Sequence, residues 1–188
     1  MRHYPNYVRH DDRKKLQLRL REISGLIQQN IGVSVGFFAD GNSYSSGVAV
    51  ADVAQYQEYG TARSDNWGPI PPRPFMRPAY DENKGKWIEY LRSALIKELK
   101  KGKRGNLRKP FENLGSLIQS DIVEAIHAVT SPPLSPTTLK LRAKKRGLTQ
   151  KRINGMDAAT YANFAKPLED TGKMVSAVSY KVTTGGAK

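Results

Sequence analysis

Proline occupies five of the ten positions from Pro69 to Pro78 in the stretch YQEYGTARSDNWGPIPPRPFMRPAY, residues 56–80. Each proline holds φ near −65° before any partner arrives, which stiffens the segment. Residues that precede proline are pushed toward extended backbone, so Phe75 and Met76 are expected to project from an extended chain. Trp67, Ile70, Phe75 and Met76 give this stiff segment more apolar surface than a flexible linker needs. A chain braced in this way loses little conformational entropy when it docks. Two uses fit. Trp67, Arg73, Phe75, Met76 and Arg77 are the aromatic, thioether and guanidinium anchors that interface hot spots favour, with both arginines able to grip carboxylates in a forked geometry. Alternatively the segment is an intramolecular clamp, with Trp67 and Phe75 packed on the subunit's own core. On the first reading, Phe75→Ala with Arg77→Ala leaves a folded subunit that has lost its partner.

The remaining composition is that of an ordinary, slightly polar globular chain. Its 188 residues are 38% apolar and 26% charged, enough for one modest core. There is no cysteine, which excludes disulfides, thiolate nucleophiles and zinc–thiolate sites. The opening residues lack the apolar run of a secretion signal, and no segment is apolar for long enough to span a membrane, so a cytoplasmic site of synthesis is expected. The net charge of +14 is concentrated. Residues 97–109 carry +6 and residues 140–152 carry +7, leaving +1 for everything else. Lys100, Lys101, Lys103, Arg104, Lys144, Lys145 and Arg146 form the candidate electrostatic surface. Such patches attract phosphate backbones or acidic proteins over about 8 Å at physiological salt. They lack the interleaved aromatics of single-strand binders.

Periodicity predicts the elements. Leu16, Leu20, Ile23 and Ile27 form one stripe of a helix over 12–30, with Asp11 or Asp12 as N-cap. Val33, Val35 and Phe37 alternate as a strand, and 40–47 is a turn. Residues 48–59 favour a short helix closed by Gly60 in the left-handed conformation. A longer helix follows at about 79–101, with the stripe Ile88, Leu91, Leu95 and Leu99. Another spans about 110–129, with Pro110 in its first turn. Ser135 and Pro136 open a short basic helix that Gly147 ends. Residues 148–165 show no pattern and read as a mobile loop. Asp170 is the expected cap of a short helix before a strand at Val178, Tyr180 and Val182. These elements describe an α+β fold with a small, mostly antiparallel sheet packed with several helices. The expected layout is an N-terminal arm (1–11), a single domain (12–182) and a flexible tail (183–188).

Catalytic constellations are hard to assemble. His3, His10 and His127 have no metal-binding spacing. Asp170-Thr171-Gly172 matches the aspartic-protease triplet in letters, but no apolar strand precedes it, and a helix cap explains it better. Glu58 and Asp52 read as exposed helical acids. No cofactor is indicated.

The residues Glu58-Tyr59-Gly60-Thr61, followed by Pro72-Arg73-Pro74-Phe75-Met76-Arg77-Pro78-Ala79, resemble the tail-completion proteins of tailed bacteriophages. These head-to-tail joining or neck proteins are often called minor tail components. SPPLSPTTLKLRAKKRG and KPLEDTGKMVSAVSYKV, later in the chain, are similar to the same family in the same order, so the resemblance covers roughly residues 20–182. The N-terminal arm, the eight residues between Thr61 and Ile70 and the loop 148–165 depart from it. The resemblance implies a non-enzymatic virion component, assembled in the host cytoplasm into a homo-oligomeric ring, commonly a hexamer. Its implied neighbours are the head connector or stopper and the tail terminator or tail tube, around a channel that DNA crosses. A lumen that gripped DNA would slow ejection, which favours acidic protein partners for the basic segments. The rival readings are a tail terminator capping the tube and a sequence-independent nucleic-acid-binding protein.

Overall fold

The computed structural model describes residues 10–27, 30–38, 42–62, 68–102 and 105–185. Expectations that fall on residues 1–9, on 28–29 at the end of the first helix, on 39–41 at the start of the turn, on 63–67 including Trp67, on Lys103 and Arg104, and on 186–188 lie outside them. In chain order the elements are α1 (His10–Ile27), β1 (Gly32–Phe37), α2 (Val50–Tyr59), α3 (Met76–Lys100) and α4 (Arg108–Ala128). Then come α5 (Pro136–Lys145), α6 (Gln150–Asn154), α7 (Ala158–Ala165), α8 (Lys173–Ala177) and β2 (Val178–Thr183). β1 and β2 form a two-stranded antiparallel sheet packed with helices, an α+β fold. No helix among the described residues is long and apolar enough to cross a membrane.

The chain divides into two compact units, one of residues 35–84 and 116–180, the other of residues 1–34, 85–115 and 181–188. The core of the first unit is built from one turn of each of several helices. Val50 and Ala54 on α2, Phe75 and Ala79 around the start of α3, and Ile122 and Ile126 on α4 are buried together with Met174, Ala177 and Val178. The i, i+4 spacing within each pair puts both side chains on one helix face. Phe37 of β1 meets Phe75 edge to face at 5.9 Å, the geometry aromatic pairs prefer.

In the second unit Trp87, Leu107 and Leu114 are buried. Ile88, expected on the buried stripe of α3, is 67% exposed and its neighbour Trp87 is buried instead, while Leu91, Leu95 and Leu99 are half-buried. Leu16 and Leu20, the expected apolar face of α1, are exposed. Glu98, near the end of α3, is buried and accepts from the Asn106 amide at 3.0 Å and from Lys101 Nζ at 2.5 Å. A Cβ at Gly105 would lie 2.4 Å from the Glu98 carbonyl oxygen, so only glycine lets the chain return this closely.

Several boundaries differ from expectation for identifiable reasons. α1 is already helical at His10, so Asp11 and Asp12 lie inside it. α3 starts at Met76, three residues early, because Pro78 sits in the first turn, where its missing donor costs nothing. Met76 is therefore helical, not extended. Residues 148–165 are not a loop. Thr149 accepts from the Arg152 amide to open α6, and Asp157 accepts from the Thr160 amide at 2.8 Å to open α7. Each is an N-cap followed by only five or eight helical residues, too short for a stripe to show. Ser135 with Pro136 opens α5 as expected, accepting from the Thr138 amide at 3.2 Å.

Candidate functional site

Two motifs that are distant in sequence meet at one carboxylate. On α2, Val50, Ala54 and Glu58 recur every four residues and are all buried, so Glu58 falls on the helix's apolar face. It is 3% exposed, which corrects its reading as a solvated surface acid. Its Oε2 accepts from the backbone amides of Phe75 at 2.7 Å and Met76 at 3.0 Å. Its Oε1 accepts from the Arg77 amide at 3.1 Å and from Arg77 Nε at 2.9 Å. The next residue is Pro78, which has no donor, and the Ala79 amide reaches the Phe75 carbonyl to begin the helical ladder. Every amide of the opening turn of α3 is thereby accounted for. Residues 70–78 contain no Ser, Thr, Asp or Asn to do this locally, so the cap comes from another helix.

The rest of the segment is fixed to the same frame. Arg77 donates through a terminal nitrogen to the Glu58 carbonyl at 3.0 Å and lies 4.9 Å over the Tyr59 ring. Gly60 turns the chain out of α2 with φ 74° and ψ 174°, a positive φ as expected but not the left-handed helical conformation. A Cβ there would lie 2.7 Å from the Ile70 carbonyl oxygen, because Thr61 and Ile70 pair as an antiparallel bridge beside it. The Thr61 amide donates to the Ile70 carbonyl at 2.9 Å, and the Arg73 amide to the Gln57 carbonyl at 2.6 Å. Arg73 itself is buried. It donates to the Pro132 and Pro133 carbonyls at 2.7 and 3.0 Å and to Gln57 Oε1 at 3.2 Å. Carbonyl oxygens, not the anticipated carboxylate, satisfy this guanidinium.

Burial by itself pushes the Glu58 carboxyl up. The amides of Phe75 and Met76, with the side chain and amide of Arg77, outweigh it and hold the group below its ordinary value. The carboxylate is therefore ionised at neutral pH, in a place where an unpaired charge would be expensive.

The predicted docking residues are thus divided. Phe75, 1% exposed, and Arg73, 5% exposed, are enclosed within the chain, so for Phe75 the clamp reading holds. Arg77 keeps 55% of its side chain exposed and Met76 is half-buried. Pro71, Pro72, Pro74 and Pro78 are exposed, as are Tyr59 and Tyr80. A recess of about 370 Å³ beside the clamp is lined by Val35, Phe37, Phe38, Tyr59, Met76 and Arg77.

The candidate electrostatic residues divide as well. Asp170 does not cap α8, whose N-cap is Gly172. It binds α5 instead: Arg142 Nε lies 3.3 Å from Oδ1, Lys145 Nζ 2.9 Å from Oδ2, and Arg146 donates to the Asp170 carbonyl at 2.8 Å. Arg142 is buried and also donates to the Phe164 and Lys166 carbonyls at 2.7 and 2.9 Å. Burial pushes the Asp170 carboxyl up, but Lys145, Arg142 and Arg146 together bring it below its usual value. Lys145 and Arg146 are consequently tied to an internal acid. Lys101 is tied to Glu98, while Lys100 and Lys144 are exposed.

No group of His, Asp or Glu suited to a metal occurs among the described residues. His127 sits on the surface with Nδ1 2.5 Å from Glu169 Oε1. No family model, curated protein or solved structure matches the chain.

Proposed function

We propose that the chain is a structural protein of the phage neck or tail, completing the tail and joining it to the head connector as a ring around the DNA channel. One observation carries this reading. The first two of the motifs that carry the resemblance, Glu58-Tyr59-Gly60-Thr61 and Pro72–Ala79, form a single clasp in which Glu58, Gly60, Thr61, Arg73 and Arg77 each hold a specific partner. A motif pair that closes on itself in this way is a built feature, and random likeness in composition would not produce it. The clasp presents Tyr59, Met76 and Arg77 at the edge of an apolar recess, with Tyr80 exposed on the first turn of α3, on a backbone already locked in place. Rigid aromatic and arginine anchors around such a recess suit a heterologous subunit contact, the kind that closes into a ring. Arg73 and Phe75 support this surface from within.

The deciding experiment adds the purified chain to filled heads and to tails assembled without it. Joined particles are expected with wild type and not with Arg77→Ala plus Tyr80→Ala, while circular dichroism of the variant stays native. Joining that proceeds without the chain sinks the reading. Restoration of isolated tails alone, with no effect on heads, identifies a tail terminator instead. Binding to arbitrary DNA with an affinity that falls steeply with salt identifies a nucleic-acid-binding protein.

A further inference from the structure

Asp170 partitions the basic segment 140–152. It holds Arg142, Lys145 and Arg146, and leaves Lys140, Lys144, Lys151 and Arg152 exposed. No acid among the described residues pairs with any of these four. Between α5, α6 and α7 runs a groove of about 430 Å³ whose walls include Leu139, Leu148, Ile153 and Tyr161. Lys140 and Lys144 are the only charged residues lining it. An apolar floor under an unneutralised lysine rim asks for an occupant with both properties: carboxylates to meet the rim, and aliphatic or aromatic side chains to cover the floor.

We propose that this groove docks an amphipathic, acid-rich segment of another protein. Nucleic acid fits the rim but not the floor, which is mainly aliphatic and offers the one half-exposed ring of Tyr161 where a stacking platform would present several. Residues 1–9, the longest segment outside the described ones, carry Arg2 and Arg9 and no acid, so like charge opposes their entry. A second copy is disfavoured because the chain has 31 basic residues against 17 acidic ones. The occupant is therefore an acidic partner. This inference stands whether or not the virion reading does, since it uses neither the clasp nor the resemblance.

The test is fluorescence anisotropy on the full chain at physiological salt. The probe is a labelled synthetic peptide of glutamates and leucines spaced to form one apolar helical stripe. Two controls are the same residues scrambled to destroy the stripe, and a single-stranded oligonucleotide of similar length. The peptide is expected to bind more tightly than either control. Lys140→Glu with Lys144→Glu, both on the exposed face of α5, is expected to weaken it by about tenfold or more. Ile153→Ala is expected to weaken it by roughly fivefold, with circular dichroism checking that each variant is folded. The proposal is overturned by no saturable binding of the peptide, by equal binding of the scrambled control, or by folded variants that bind as wild type. Tighter, competitive binding of the oligonucleotide overturns it in favour of a phosphate-binding groove.

Discussion

Glu58 and Asp170 each gather several donors onto one carboxylate, in opposite surroundings. Glu58 is almost fully buried and takes mainly backbone amides at a helix start. Asp170 is about one third exposed and takes the side chains of Arg142, Lys145 and Arg146. If Glu58 is lost, the amides it served remain enclosed with nothing to replace it. If Asp170 is lost, Lys145 and Arg146 swing toward water and keep their hydration. The number of bonds is similar. What differs is what the donors do afterwards, and that decides how much stability each site carries.

The comparison can be broken in descending order of effect. Phe75→Ala, beneath the clasp, is expected to destabilise by about 3–5 kcal/mol through the cavity it leaves beside Phe37 in the core. Urea unfolding measures it. A loss below about 1 kcal/mol would mean that Phe75 is not core, and would return it to the list of docking residues. Glu58→Ala follows at roughly 3 kcal/mol, with Glu58→Gln retaining part of this because its carbonyl oxygen still accepts. Hydrogen exchange at Phe75, Met76 and Arg77 should rise sharply in the alanine variant while α4 stays protected.

Acidification sharpens the contrast. The folded pKa of Glu58 lies below its ordinary value of 4.5, so its contribution is complete above that value and is lost as pH falls through the folded one. Asp170 behaves likewise from its ordinary value of 3.8. Wild type should therefore lose stability as pH drops below about 4.5, and Glu58→Gln should flatten the stability–pH curve more than Asp170→Asn does. Equal flattening would equate the two sites. A smaller effect is expected from Asp170→Asn itself, about 1 kcal/mol or less because solvent screens its ion pairs, and still less in high salt. Lys145→Ala should fall below it, near the noise of a melting curve.

Much of this architecture can be read from the sequence where a pattern runs long enough. The stripe Leu114, Ile118, Ile122 fixes α4, and the alternation of Val178, Tyr180 and Val182 fixes β2. α6 and α7 escape because each is specified by one capping side chain and, in α7, a single buried residue, Phe164. The clasp is legible only as a gap. A helix that opens on Pro74-Phe75-Met76-Arg77-Pro78 has no acceptor of its own, which implies one elsewhere, and Glu58 lies four residues beyond Ala54 on the apolar face of α2. Periodicity places that carboxylate on the buried side, yet only the packing of α2 against α3 says which amides it meets. Arg73 is illegible for a similar reason: its partners are carbonyl oxygens of Pro132 and Pro133, and every residue carries a carbonyl.

The opening of a 25-residue helix ordinarily carries about half a positive charge, a ready seat for a phosphate group. In α3 that seat is already taken by an anion from within the fold. Whatever polyanion comes near finds this pole quenched, so α3 offers it no backbone seat. One of only 17 acids in a chain with 31 bases is stationed where it silences a dipole instead of trimming the surface charge. At this end of α3 the only positive charge left for a partner is on side chains such as Arg77, where salt or mutation reaches it without touching the backbone.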